Sequence, residues 1–371
     1  MKPMKKHNLY VDFHILQTVP PSCVNRDESN RPKTAQYGGR TRARVSSQAW
    51  KHAMRVMFRE TVFDPEQVGI RTKRIRGMIA EWIAKLDPQA DAETLAKEAL
   101  RHAGIEADEK KNKKDSEKDE KKDLDVMFFI SEEQAKALAT LILRGEKNQE
   151  TYKSALKDAP SIDMALFGRM VANDPSLNYD AAAQVAHSIS THAAMNEYDY
   201  FTAVDDLAPE DNAGAGHIGT QEFNSATLYR YATVNLMELA RSLGRKETPF
   251  VLRGFADAFI RSMPTGKQNS FANRTLPELV YVTIRADQPV YLGGAFEKPV
   301  EVEAGRGGYV RGSVDALRAY AERAYENYGM PPKKAFAVGD GLDELAETLT
   351  LPDLLDKLES AVRVELESGV Q

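Results

Sequence analysis

An α+β fold on a split βαβ core is predicted by three observations. Alternating apolar segments, the signature of half-buried strands, recur near the start, in the middle and in the last third of the chain. Amphipathic helical stretches separate them in the order strand, helix, strand, strand, helix, strand. A long helical block and a Gly/Pro-rich protrusion interrupt that order without replacing any of it. The core is therefore expected to be RRM-like or ferredoxin-like, with two insertions.

Composition sets the outer bounds. The 371 residues are 42% apolar, enough for a proper core, and the length prior is about two domains or one with large insertions. A single cysteine, Cys23, excludes an internal disulfide framework and any cysteine-rich zinc site. The start MKPMKKHNLY carries cations but no apolar h-region, unlike a secretory signal. No run approaches the roughly 18 apolar residues of a membrane span. The expectation is a soluble cytoplasmic protein with no membrane partner.

His7–Leu16 alternates, with Leu9, Val11, Phe13 and Ile15 on one face, and reads as the first strand. The next segment is the most informative in the chain. Between Arg26 and Arg59 nine Lys/Arg stand against two acids, a local charge of +7 in a chain of net −5. A lone positive tract on an acidic protein points to an anionic partner met on one face. Within it, a polar loop containing Gly38-Gly39 leads through Arg40, Arg42 and Arg44 to Ser46-Ser47, where a helix begins. Trp50, Met54, Met57 and Phe58 form its apolar face, and Gln48, Lys51, Arg55 and Arg59 a cationic stripe. Ser46 is the expected N-cap, and the open amides and dipole of the first turn favour an anion. The plainer alternative is a solvated surface helix.

From Glu60 to about Asn173 the texture is helical, with segments near Ile75–Leu86, Ala92–His102, Ser131–Arg144 and Glu150–Lys157. Glu106–Asp125 interrupts it: 16 of its 20 residues are charged, so it cannot bury a core and reads as a solvated loop. Alternation returns at Ala183–His192, where Val185, His187, Ile189 and Thr191 face one way, and at Phe223–Leu236. The Pro, Gly, Asn and Asp between them, in Ala193–Glu222, predict a protruding hairpin. A helix at Pro249–Ser262, a strand at Leu279–Arg285, a helix at Val314–Tyr328 and a tail helix at Thr348–Leu366 complete the pattern. The organisation is thus 1–59 and 223–371 as two halves of the sheet layer, 176–192 as a further strand, 60–175 as the helical insertion with charged loop 106–125, and 193–222 as the hairpin. The RNP1 motif of ordinary RRM proteins is absent, so base stacking on the sheet is not implied.

Catalytic patterns are weak. Ile260–Gln268 echoes a P-loop only in Gly266-Lys267, with Gln268 where a Mg²⁺-binding Ser/Thr belongs. His187 and His192 are five apart, on opposite faces of a strand, and read as core or surface histidines. Asp205-Asp206 diverge in a strand and suit a turn better than a metal; Gly305–Gly308 also reads as a turn. Asp27, beside cations, has the position of an acid or base for ribonuclease chemistry, or of a loop-stabilising partner for Arg26 or Arg31.

Five ordered segments carry a family resemblance: HILQTVPPSCVNRDES, GGRTRARVSSQAWKHAMR, DMALFGRM (Asp163–Met170), QVAHSISTH (Gln184–His192) and FTAVDDL…GHIGTQEFNSATLYRY (Phe201–Tyr231). Together they resemble CasC (Cas-seven, or Cse-four), the backbone subunit of the type I-E CRISPR surveillance complex Cascade. The resemblance implies an RRM-like palm, helical fingers and a hairpin thumb. It also implies a non-catalytic subunit that needs no cofactor or metal. Its partners would be CRISPR RNA, the complementary target DNA strand, further copies of itself and other Cascade subunits.

Matched residue by residue, Arg26, Lys33, Arg40, Ser46, Gln48, Lys51 and Arg55 are expected to hold guide phosphates. Arg42 and Arg44 of the same tract and Arg169 extend that set, and Met170 is expected beside a distorted base step. Phe201, Thr202, Val204, Leu207, Ile218 and Thr220 are the expected thumb residues. His52 departs from the pattern by standing where a permanent cation is expected, and 106–125 is foreign to it. A guide-dependent ribonuclease using Asp27 is the alternative.

Overall fold

The computed structural model describes residues 8–105, 127–171, 174–203, 217–302, 305 and 307–368. In chain order the elements are β1 (Tyr10–Ser22), β2 (Thr34–Tyr37), β3 (Arg40–Val45), α1 (Ser47–Met57), β4 (Ile70–Thr72), α2 (Ile75–Leu86), α3 (Ala92–Ala103), β5 (Phe128–Ile130), α4 (Glu132–Leu143), α5 (Gln149–Lys157) and α6 (Ile162–Phe167). They continue with β6 (Ala183–Val185), β7 (Ser188–Ser190), β8 (Glu197–Ala203), β9 (His217–Asn235), α7 (Leu236–Leu243), α8 (Thr248–Arg261), α9 (Gln268–Phe271), β10 (Leu279–Arg285), α10 (Val310–Tyr328), β11 (Lys334–Val338), β12 (Glu347–Thr348) and α11 (Leu351–Ser368). Two compact units result: one holds the chain up to Met57, Gln184–Asn235 and Leu252 onward, the other Phe58–Ala183 and Leu236–Val251.

The first unit is organised by a sheet of order β12-β11-β10-β1-β9-β7-β3-β2. Its centre, β10-β1-β9-β7, is antiparallel throughout. Counted along the split βαβ pattern these are strands four, one, three and two, with α1 after the first and α8 after the third. That is the predicted ferredoxin-like core. β1 alternates as expected, and Phe13 turns one way to meet Phe255 and Phe259 of α8 at ring distances of 5.5 and 6.1 Å. On the same face Arg230 of β9 is fully buried. Its guanidinium carbon lies 3.8 Å from the Trp50 ring centre of α1 and 4.8 Å from that of Phe259. Nη1 donates to Gln17 Oε1 at 2.6 Å and Nη2 to the Phe259 carbonyl. Burial pulls its pKa down to about 9, which leaves it charged at neutral pH.

The opposite sheet face is covered too. Leu16, Tyr229, Tyr231 and Tyr281 pack with Leu292, Phe296 and the α10 residues Val314, Leu317, Ala321 and Tyr325. This is the face on which an ordinary RRM stacks bases, and here it is a closed core.

Three departures from the sequence reading matter for the site. The basic segment read as a polar loop is the β2–β3 hairpin, closed by Gly38 and Gly39 with φ of 57° and 70°. Two consecutive positive φ values suit a tight hairpin turn, and glycine adopts them without strain. The segment read as one strand at Ala183–His192 is broken into β6 and β7 at Ala186-His187. β9 is longer than expected. Its last part pairs with β1 and its first part pairs with β8, from Glu197↔Phe223 to Ala203↔His217, so the hairpin is a direct extension of a central strand.

In the second unit, Ile75, Ile79 and Ile83 of α2 pack with Ala96 and Leu100 of α3, Leu138 and Ile142 of α4, and Tyr152 and Leu156 of α5. The helix starts are fixed locally. Asp91 caps α3, and Ser131 and Gln134 form a capping box on α4.

Arg230→Ala removes the group that both core helices share and strands the Gln17 side-chain oxygen. It should lower stability by about 3 kcal/mol, read as a shift of the denaturant midpoint. Arg40→Ala, at an exposed strand end, should stay within about 0.5 kcal/mol.

Candidate nucleic-acid interface

The cationic tract converges on Asn25. Its side-chain oxygen accepts from the Ser46 amide at 2.9 Å, and its carbonyl accepts from the Lys33 amide at 2.9 Å. The Lys33 carbonyl in turn accepts from the Arg44 amide at 2.9 Å. Loop, hairpin and helix start are thereby tied into one surface. Ser46 caps α1 as expected, its Oγ accepting from Ala49 N at 3.3 Å. It is itself buried, so it shapes the helix start and leaves the outward position to its neighbours.

Along α1, Trp50 and Met54 are buried, and Trp50 Nε1 donates to Ser188 Oγ at 2.9 Å. Gln48, His52 and Val56 form the exposed crest, with Lys51 and Arg55 half-buried beside it. Arg26 is exposed and donates to Asn30 Oδ1 at 2.9 Å; Arg40 is exposed at the hairpin tip. A recess of about 20 Å³ lies among Ser22, Asn25, Lys33, Arg44 and Asn224. That is room for about one water, far short of a small-molecule pocket.

Arg42 and Arg169 require correction. Arg42 is fully buried, and its guanidinium donates to the carbonyls of Ser190 (2.9 Å), Phe296 (2.8 Å) and Glu297 (3.2 Å). Burial lowers its pKa, and both its terminal nitrogens are spent inside the protein. Arg169 is buried within the second unit, bonded to the carbonyls of Leu177 (3.0 Å), Phe129 (3.2 Å) and Leu156 (2.8 Å) and to Gln134 Oε1 (3.3 Å). Burial brings its pKa down to about 10. Neither presents a cation to a strand outside.

Arg169 instead anchors the next residue. Its backbone exchanges hydrogen bonds with Tyr179 at 3.0 and 2.8 Å, and Met170 projects beyond it, 87% exposed. Gly168 makes the turn at φ +77°, where a Cβ would come within 2.8 Å of the Tyr179 carbonyl.

In the β8–β9 hairpin, Phe201 lies over Gly219 and is 45% exposed; Thr202 and Thr220 are exposed, and Ile218 pairs with Thr202. Val204 and Leu207 lie outside the described residues, as do Asp205-Asp206. Sequence reasoning missed the tyrosines Tyr198 and Tyr200, 64% and 75% exposed on one face of β8. Their alternation was the available signal. It also missed the ties at the hairpin root: Arg31 Nε to Glu222 Oε1 at 2.9 Å, Asn196 Nδ2 to Glu222 Oε2 at 3.0 Å, and Lys267 Nζ to Gln221 Oε1 at 2.8 Å. Lys267, the one P-loop-like cation, is thus a root contact.

Asp27 serves its own loop. Its Oδ1 accepts from the Ser29 and Arg31 amides, both at 2.9 Å. His192 accepts from Thr227 N at 3.1 Å through Nε2 and bonds the Ala193 carbonyl through Nδ1, so both ring nitrogens are used. Among the carboxylates and histidines the largest pKa displacements are Asp12, raised to about 6 by burial against its hydrogen bonds, and His14, lowered to about 3 by burial and then Arg285. Both are fully buried between sheet and α10, where no substrate reaches. Among the described residues no His/Cys/Asp/Glu cluster is placed to hold a metal ion, and no helix is long and apolar enough to cross a membrane.

A family model described as "CT1975-like protein" matches residues 11–361. The chain belongs to the CT1975-like protein family. This CT1975-like chain is 33% identical to a chain of a "CRISPR RNA-guided surveillance complex, pre-nicking", over 95% of its own length and 100% of the other, with a TM-score of 0.78. It is 28% identical to a chain of a second "CRISPR RNA-guided surveillance complex", over 95% and 99%, with a TM-score of 0.62. No curated protein sequence matches it. The motif resemblance and the structural likeness therefore lead to the same kind of assembly.

Arg169→Ala should destabilise by about 3 kcal/mol, because a cluster of buried carbonyls loses its donors. Met170→Ala, on the same loop, should change stability by less than about 0.5 kcal/mol. Equal losses in a denaturant titration would contradict the anchor role.

Proposed function

We propose that this CT1975-like chain is the CRISPR RNA-binding backbone subunit of a surveillance complex, and that it grips the guide by its phosphates. The observation that carries this reading is the convergence on Asn25. It joins Arg26, Lys33 and Arg44 to the capped N-terminus of α1, with Lys51 and Arg55 farther along the helix. Such a surface neutralises a backbone and makes no base-edge contact, so sequence is left to base pairing. The closed sheet face supports the same conclusion, because no stacking platform is open there.

Finer parts of the proposal rest on the resemblance. The subunit is of type I-E, is not itself a nuclease, and repeats along one guide to present it to a complementary DNA strand. Met170 and the exposed side chains of the β8–β9 hairpin, Phe201 above all, have the apolar character of wedges that distort a strand at intervals. For the ribonuclease alternative nothing comparable can be assembled. Asp27 closes its loop through two amides, an architectural task.

Three measurements test this. The expressed protein should co-purify with a short RNA of uniform length; a stable RNA-free monomer would sink the proposal. Lys51→Ala with Arg55→Ala should weaken RNA binding and flatten its log–log salt dependence by about 1.4, at about 0.7 per lost single-strand phosphate contact. An unchanged slope would remove α1 from the site. Incubation of the assembled complex with complementary RNA and Mg²⁺ should give no cleavage that Asp27→Ala abolishes.

A further inference from the structure

His187 comes after β6 and immediately precedes β7. The β3–β7 pairing, Arg44↔Ile189 and Val45↔Ser188, sets it beside Arg44. Arg44 Nη1 lies 3.2 Å from His187 Nδ1, and Arg44 Nε donates to the Thr34 carbonyl at 3.0 Å. A guanidinium is always protonated and only donates. Nδ1 must therefore offer a lone pair, the ring proton sits on Nε2, and the imidazole is neutral. The ring is exposed. Partial burial, then Arg44 and Lys33, hold it below the ordinary imidazole value. Those two cations, one from β3 and one from the loop before β2, are the charged groups acting on it. Among the described residues neither a carboxylate nor β9, to which Ala186 is bonded, adds another.

We propose that His187 is a proton-linked member of the phosphate-holding surface: neutral and bonded to Arg44 when the site is empty, imidazolium and donating to the phosphodiester when it is filled. The inference deepens the guide-backbone reading and rests on it. The exchange balances simply. One proton is taken from solvent onto Nδ1, the Arg44–His187 hydrogen bond is given up, and both groups turn their donors to the phosphate. An anion within about 4–6 Å favours the charged imidazole, so the filled site holds its proton to higher pH than the empty one. Between the two pKa values the complex binds more protons than the free protein. RNA affinity therefore rises as pH falls through that interval and levels off on either side.

The test uses the full chain and an oligouridylate, titrated over a salt series at pH 8 and pH 6. Wild type should bind about three- to tenfold tighter at pH 6, since each unit by which the phosphate raises the imidazole is worth up to about tenfold. Its salt dependence should also steepen by about 0.7. His187→Gln keeps an acceptor for Arg44 but cannot gain a proton, and should lose both increments. His102→Gln, which removes an imidazole on α3 of the helical unit and outside the cationic tract, should keep both. Titration of wild type in two buffers of different ionisation enthalpy should show a proton taken up on binding, which reads the inference without any variant. A pH increment that survives His187→Gln, or RNA binding with no proton uptake, overturns the inference while leaving the guide reading standing. Failure of wild type to bind RNA at pH 8 overturns both.

Discussion

The sheet unit depends on a buried guanidinium. Arg230 lies between the rings of Trp50 and Phe259, one from each core helix, and reaches Gln17 on β1. Removing a charge from water costs several kcal/mol, and desolvated cation–π contacts return about 2 kcal/mol each. The arrangement is therefore a weak source of net stability and a strong source of geometry. Two flat rings and one planar fork admit few alternative packings, whereas an aliphatic side chain at the same place would admit many. The consequence reaches the surface. Because Trp50 is held, α1 cannot roll, and its Gln48–His52–Val56 crest with Lys51 and Arg55 alongside keeps one heading.

Topology and binding mode part company in this fold. The strand order and the two core helices are ferredoxin-like, yet α10 and the segment around Leu292–Phe296 close the sheet face that gives RRM proteins their stacking platform. On the proposed reading the guide is held instead at the sheet margin, where the β2–β3 hairpin and the start of α1 present cations. A fold of this type does not dictate its site; here the extra C-terminal layer excludes one mode of RNA contact and leaves another. Polyanion binding at a margin also suits a chain of net −5, since the tract from Arg26 to Arg59 carries a local charge of +7.

Legibility of the chain tracked depth and period. Helices α2 to α5 were readable because each buries one stripe and three of them carry their own caps. α6 was missed because all six of its residues are buried, so no polar face marks its period. The β2–β3 hairpin was hidden by its charge: alternating Arg-Thr-Arg-Ala-Arg reads as a loop until Gly38-Gly39 is given its turn chemistry. Counting charges gave the right tract but not which cations face out. Arg40, Arg42 and Arg44 share a strand face, yet the segment at Phe296-Glu297 closes over the middle one and leaves Arg40 and Arg44 more open. The middle arginine ends among the carbonyls of Ser190, Phe296 and Glu297. Sequence spacing gives direction around a strand; it carries no information on which distant segment covers each position.

The same distinction explains why a histidine belongs beside Arg44. A third permanent cation packed against Arg44 and Lys33 would repel both in the empty site, at a cost that grows as water is excluded. A carboxylate there would quench the positive field that the guide needs. Neutral imidazole avoids both: it accepts from Arg44, fixes the guanidinium in company with the Thr34 carbonyl, and adds charge only when an anion arrives to balance it. A surface built this way tolerates crowding of its cations without ligand and reaches full charge only when filled. Permanent cations farther along α1, set apart by a helical turn, need no such device.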